Sequence, residues 1–206
     1  MDAPPTHALK CACGTVRGSV GHPELANRAI CYCRDCQAFA HFLGRPGEIL
    51  DARGGSDVIQ ILPQHLTFTQ GIESVTCMRL TPNGLVRWHT SCCRTPIGNT
   101  LANPKLAFIG LLHNCLESAE RSLDQSFGPV RTWVNTKSAR GEPKPKSAGL
   151  GRTLGWFIRT VLRARLNGNY RLTPLFTSSG ELIVTPRVLS SVERSELMRA
   201  VEIAGQ

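Results

Sequence analysis

The chain has 206 residues, 41% of them hydrophobic and 19% charged, and carries a net charge of +9. That length fits one domain with an appended arm, and the apolar fraction allows a real core without disulfide stapling. Residues 1–10 lack the basic start and apolar run of a secretory signal, and no stretch approaches the ~18 consecutive apolar residues of a membrane helix, so a soluble cytoplasmic protein is expected.

Thirteen prolines and nineteen glycines favour short strands joined by turns over a helical bundle. In chain order, a strand is expected at 15–20, directly after Cys11-Ala12-Cys13. Residues 33–43 form a short helix with Cys36, Phe39 and Leu43 on one side. Strands at 58–62 and 66–69 flank a Pro-Gln turn. Those at 74–80 and 85–88 flank Thr81-Pro82-Asn83-Gly84, whose Asn-Gly is a hairpin signal. With a further apolar strand at 105–112, residues 1–113 are expected to be mainly β, with metal sites at strand ends and loops.

Residues 114–206 read as a C-terminal α/β extension. Residues 116–127 have modest helical character, and 138–149 (SARGEPKPKSAG) form a linker with little to pack. Residues 150–166 predict an amphipathic helix: Leu150, Leu154, Phe157, Ile158, Val161 and Leu162 recur at helical spacing, with Arg152, Arg159 and Arg163 opposite. Asn167-Gly168-Asn169 stops it. A strand at 181–184 and a helix at 191–203, capped by Ser190 or Ser191, complete the chain. The charge is concentrated here, because residues 137–171 hold nine basic side chains against Glu142 alone, a net +8. The apolar face of the helix is expected to dock on the β domain, with Gly151 and Gly155 permitting close packing. The alternative is that this basic helix meets an anionic membrane or nucleic acid, and Trp156, beside the arginines, favours it.

Nine cysteines are many for a chain in a reducing compartment, where disulfides are disfavoured. Cys77 and Cys115 stand alone in apolar segments and read as small core residues. The other seven cluster as Cys11/Cys13, Cys31/Cys33/Cys36 and Cys92/Cys93, a spacing that points to metal. Zinc takes thiolates and imidazoles tetrahedrally; four protein ligands close a site, and three leave a position for chemistry. Pairing the first and last groups makes a four-thiolate site and leaves the central triad without a fourth ligand. Two zinc ions per chain are therefore expected, one structural and one open. Arg34 and Asp35, inside the triad motif, are candidates for contacting a substrate, and residues 53–57, which follow Asp51, form a glycine-bearing turn able to overlie it. No Ser-His-Asp order, Walker loop or GxGxxG supports another enzyme class, and CxC spacing is foreign to nucleic-acid zinc fingers.

Cys11-Ala12-Cys13-Gly14-x-Val16-x-Gly18, then Cys31-x-Cys33-x-x-Cys36, then Arg87-Trp88 and Cys92-Cys93-Arg94-Thr95-Pro96-Ile97-Gly98 resemble the glutathione-dependent formaldehyde-activating family, which includes centromere protein V. The resemblance spans about residues 9–112. It implies an Mss4-like zinc-binding β fold and a structural zinc on Cys11, Cys13, Cys92 and Cys93. It also implies a second zinc on Cys31, Cys33 and Cys36, where a small thiol such as glutathione coordinates. The implied activity is that of a carbon–sulfur lyase acting on a thiol–aldehyde adduct of the S-hydroxymethylglutathione type, with the triad as its catalytic centre. The family's last group is typically Cys-x-x-Cys-Gly before Thr-Pro, whereas here it is Cys92-Cys93-Arg94. If only one of these two cysteines ligates, His89, three residues before Cys92, can complete the site. The competing reading is a non-catalytic zinc-stabilised module whose basic arm contacts an anionic partner.

Overall fold

A computed structural model describes residues 5–116 and 121–205. The chain is mainly β, with eleven strands among the described residues. β1 (Thr6–Lys10) and β2 (Arg17–Gly21) pair antiparallel, and β5 (Leu66–Gln70) joins β2, giving a three-stranded sheet. Along β1 every second residue, His7 and Leu9, is buried, as a strand with one covered face requires.

The larger sheet has eight strands. Its centre is built from β3 (Asn27–Cys31), β4 (Ser56–Ile61), β6 (Val75–Arg79), β7 (Val86–Thr90), β8 (Pro96–Thr100) and β9 (Ile109–Leu112), in the order β3-β4-β9-β8-β7-β6 and antiparallel throughout. The β6–β7 hairpin turns through Asn83-Gly84, where Gly84 N–H donates to Thr81 O at 3.0 Å. Two short strands from beyond residue 113 extend the edges, both parallel: β10 (Thr132–Val134) beside β3 and β11 (Arg187–Val188) beside β6.

One core lies between the two sheets. It joins Leu9, Val20 and Leu66 of the small sheet to Ile59, Trp88, Ile109 and Leu111 of the large one, with Leu175 and Phe176 added from the C-terminal part. The opposite face of the large sheet carries α1 (Arg34–Phe42), α2 (Pro46–Ile49) and α5 (Ser191–Ile203), packed through Phe39, Leu43, Ile49, Met78, Leu112 and Val201. β7 is therefore buried at all five positions. Val86 and Trp88 face the first core, and Arg87 and His89 face α1. In β8, Ile97 has no residue opposite it because the register shifts between Trp88 and His89; this bulge turns Ile97 into the core.

Four expectations are corrected. Residues 181–184 are not a strand: a turn at Gly180 brings Leu182 into a single bridge with Phe176, and the ladder forms only after Pro186, as β11. The linker at 138–149 is mostly exposed over 141–148, as expected, but its two ends are tied to the β domain. Arg140 N–H donates to Arg53 O at 2.8 Å, Gln37 Nε2 to Ser138 O at 3.0 Å, and Ala148 pairs with Trp133. Of the helix expected at 116–127, α3 (Leu123–Phe127) with its Ser122 capping box is present, while residues 117–120 lie outside the described residues.

The fourth correction concerns α4 (Leu150–Leu166), whose bounds are those expected but whose orientation is not. Val161 and Ala164 are buried and Thr153, Trp156, Phe157 and Thr160 half-buried, while Leu150, Leu154, Ile158 and Leu162 are exposed. Polar groups decide this rotation. Asn27 Nδ2 donates to Thr153 Oγ1 at 3.0 Å, the Thr132 and Thr153 hydroxyls meet at 2.9 Å, and Trp156 Nε1 donates to Leu25 O at 3.0 Å. A Cβ at Gly151 or Gly155 would meet nothing within 4 Å, so neither glycine serves close packing.

Candidate metal centres

The first centre is assembled by two turns from different sheets. Between β1 and β2, Gly14 N–H donates to Cys11 O at 3.0 Å with Gly14 at φ 78°, and Val16 N–H donates to Cys11 Sγ at 3.2 Å. This curls Cys11 and Cys13 around one point. Between β7 and β8, Thr90 and Thr95 close a loop (Thr90 N to Thr95 O, 3.0 Å), with Arg94 in the left-handed region at φ 56°. Cys92 and Cys93 lie on that loop. Ala12 N–H donates to Thr95 Oγ1 at 3.0 Å and clasps the two turns together.

The four sulfurs lie within 4.8 Å of one another, with Cys11–Cys13 at 3.5 Å, Cys11–Cys92 at 3.9 Å, Cys13–Cys92 at 3.4 Å and Cys92–Cys93 at 3.8 Å. A tetrahedron with zinc–sulfur bonds of about 2.3 Å has edges of about 3.8 Å, so this donor set fits zinc. Adjacent Cys92 and Cys93 both reach the cluster. His89 is outside it, its buried ring edge-on to Phe39 and Phe42. Surrounding hydroxyls favour the thiolate at Cys13 and Cys93, whereas burial and the neighbouring Cys13 sulfur push the Cys92 thiol up to about 11. Contact with Thr15 holds the Cys13 thiol below its ordinary value. At Cys93 burial opposes ionisation, but the Thr90 and Thr95 hydroxyls, at 3.3 and 3.1 Å, outweigh it and bring the thiol to about 5.

The second centre lies at the junction of β3 and α1. Cys31 ends β3, Cys33 is the N-cap of α1, and Cys36 sits in its first turn, its N–H donating to Cys33 Sγ at 3.4 Å. The three sulfurs also lie within 4.8 Å of one another, with Cys31–Cys36 at 3.9 Å. Among the described residues no further Cys, His, Asp or Glu joins them. A helix N-terminus favours negative charge, and two side chains reinforce it. Asn135 Nδ2 donates to Cys31 Sγ at 3.4 Å, and Arg87, buried in β7, brings Nη1 to 3.9 Å from Cys36 Sγ. The contacts with the Cys31 and Cys33 sulfurs, and then Arg87, hold the Cys36 thiol well below its ordinary value.

Of the remaining candidates, Arg34 is engaged by Glu202 of α5, and Asp35 is exposed in the first turn of α1. Asp51 Oδ1 accepts from Arg53 N and Gly55 N, both at 2.8 Å, which makes residues 51–55 a tight turn behind Tyr32. Cys77 and Cys115 are core thiols, both raised by burial, Cys77 to about 11. All nine cysteines are free. Arg87, Asn99, whose Oδ1 accepts from Arg87 Nη1 at 3.2 Å, and Asn135 were not singled out from the sequence as site residues. Arg87 carries a legible signal, a lone charge between Val86 and Trp88 in a strand buried on both faces, whereas Asn135 carries none.

A family model described as a family of unknown function, DUF6151, matches residues 5–184. A structural-genomics crystal structure of a Rhodobacter sphaeroides protein is similar at 20% identity over 62% of this chain and 99% of that chain. Its TM-score of 0.39 is too low to carry an argument. No curated protein sequence matches the chain.

Proposed function

The chain belongs to the DUF6151 family, whose function is unknown, and we propose that it is a two-zinc protein that makes or breaks a thiol–aldehyde adduct, as a carbon–sulfur lyase does. In this reading the fold is of the Mss4-like zinc type. Cys11, Cys13, Cys92 and Cys93 hold a structural zinc, and Cys31, Cys33 and Cys36 hold the second. The observation that carries the reading is the triad: three thiols at a helix N-terminus with no fourth protein donor among the described residues. Zinc bound by three protein ligands supplies a free position, lowers the pKa of a thiol placed there and polarises a carbonyl.

The chain's own side chains prepare that site. The Arg87 cation offsets the charge of clustered thiolates from behind Cys36, and the Asn135 amide fixes the direction of Cys31. The reaction forms a sulfur–carbon bond between a thiol such as glutathione and an aldehyde such as formaldehyde. The carbonyl π electrons move to oxygen and the thiol proton ends there; the reverse direction returns both partners.

The native protein, mixed with a low-molecular thiol and formaldehyde, is expected to change the rate of adduct formation or decay above background. Cys36→Ser is expected to lose both that effect and one of two zinc ions while remaining folded. Equal rates for the two proteins across several thiols would remove the enzyme reading. They would leave the second reading, a zinc-stabilised binding module, which the outward-facing apolar row of α4 favours.

A further inference from the structure

The row on α4 consists of Leu150, Leu154, Ile158, Leu162 and Leu166, four residues apart and facing away from the protein. Leu166 is 87% exposed and none of the five is below 49%. It runs for about 24 Å at 1.5 Å per residue. Contiguous apolar surface of this kind is uncommon on a monomer unless something covers it. The row cannot simply rotate inward. Thr153 is tied to Asn27 and Thr132, Trp156 to Leu25, and the Phe157 ring stands edge-on to Phe108 at 5.6 Å.

Arg152, Arg159 and Arg163 flank the row, and Arg165 projects within its sector. All four are exposed, and none has a carboxylate partner among the described residues. The helix contains no acidic residue. Arg152, Arg159 and Arg163 also rim a groove of about 700 Å³ between α4 and the turn Pro23–Leu25, and the one carboxylate among the described residues lining it, Glu24, faces His22 at 3.2 Å.

The geometry points to an anionic lipid surface: we propose that the outward face of α4 docks on bilayers containing acidic phospholipid, lying in the interface with the row immersed and the arginines at the headgroups. A second copy of the chain would cover the row but would bring four more arginines and, on its own α4, no acidic residue to pair with them. A nucleic acid would neutralise the arginines but press five apolar side chains against phosphates. A bilayer with acidic headgroups satisfies both features at once.

The test is flotation of the full chain with vesicles of phosphatidylcholine alone and of phosphatidylcholine mixed with phosphatidylserine. Partitioning is expected on the mixed vesicles and not on the neutral ones. Arg152→Gln, Arg159→Gln and Arg163→Gln together are expected to weaken it on the order of a hundredfold, at about fivefold for each basic residue near an acidic surface. Leu154→Gln, Ile158→Gln and Leu162→Gln together should abolish it with unchanged melting, since these side chains already face solvent. Absence of partitioning, partitioning that survives the leucine-row substitutions, or a dimer in solution that those substitutions dissolve would each overturn the proposal. None of these readouts depends on zinc content or adduct chemistry, so this inference stands or fails separately from the lyase reading.

Discussion

Arg87 is 2% exposed, and its neighbours are Asn99 Oδ1 at 3.2 Å, the Phe39 ring at 5.4 Å and Cys36 Sγ. Among the described residues none of these partners is a carboxylate. A guanidinium taken out of water without a counter-charge costs several kcal/mol, so an ionised Cys36 is what stabilises it there, and it stabilises that thiolate in return. Arg87→Met keeps the bulk of the side chain and removes the charge. The expected result is a loss of about 10- to 100-fold in zinc affinity at the triad, the range for a residue supporting a metal ligand. Chelator competition on the second zinc measures it, and melting temperature serves as the control for folding. An unchanged affinity together with unchanged melting would reduce Arg87 to a packing residue.

The arm formed by residues 138–171 is built into the β domain at several points. Ala148 pairs with Trp133 of β10, Arg140 N–H binds Arg53 O in the turn beside the triad, and Val161 and Ala164 are buried. Deleting residues 138–171 removes all of these together. The melting temperature should fall by roughly 5 °C or more, because each kcal/mol lost shifts a chain of this size by about 2–4 °C. Unchanged melting would show that the arm contributes nothing to the fold. The helix bounds at 150–166 and 191–203 were legible in the sequence, because apolar spacing, the Asn167-Gly168 stop and the Ser190–Glu193 capping box are local signals. The face that α4 buries was not. It depends on Asn27, Leu25 and Thr132, more than a hundred residues away or across a turn, which hydrogen-bond its threonine and tryptophan.

For the whole molecule, the four-cysteine centre fastens the turn of the small sheet to the β7–β8 turn of the large one, over the core that both sheets share. Metal binding there adds directly to folding free energy, because the unfolded chain has no such site. Cys13→Ser is therefore expected to aggregate or to melt far below the native protein, whereas Cys36→Ser melts within a few degrees of it. Thermal unfolding with zinc present, compared across the two variants and the chelated native protein, checks this. Equal losses from both substitutions would mean that the two centres do not divide into structural and open roles.

Cysteine spacing alone determined that seven thiols would gather in three local groups, because CxC, CxCxxC and adjacent cysteines confine their sulfurs locally whatever the surrounding fold. Period-two and period-3.6 patterns likewise determined the hairpin at Asn83-Gly84 and the long helices. Pairing Cys11 and Cys13 with Cys92 and Cys93 was readable as an option, but their meeting point, some eighty residues apart in sequence, is made by the clasp from Ala12 to Thr95. The short parallel strands β10 and β11, the Arg87 contact behind Cys36 and the outward roll of α4 were decided only by tertiary structure. Each depends on which distant surface offers a hydrogen bond or an apolar face, and no local pattern encodes that choice.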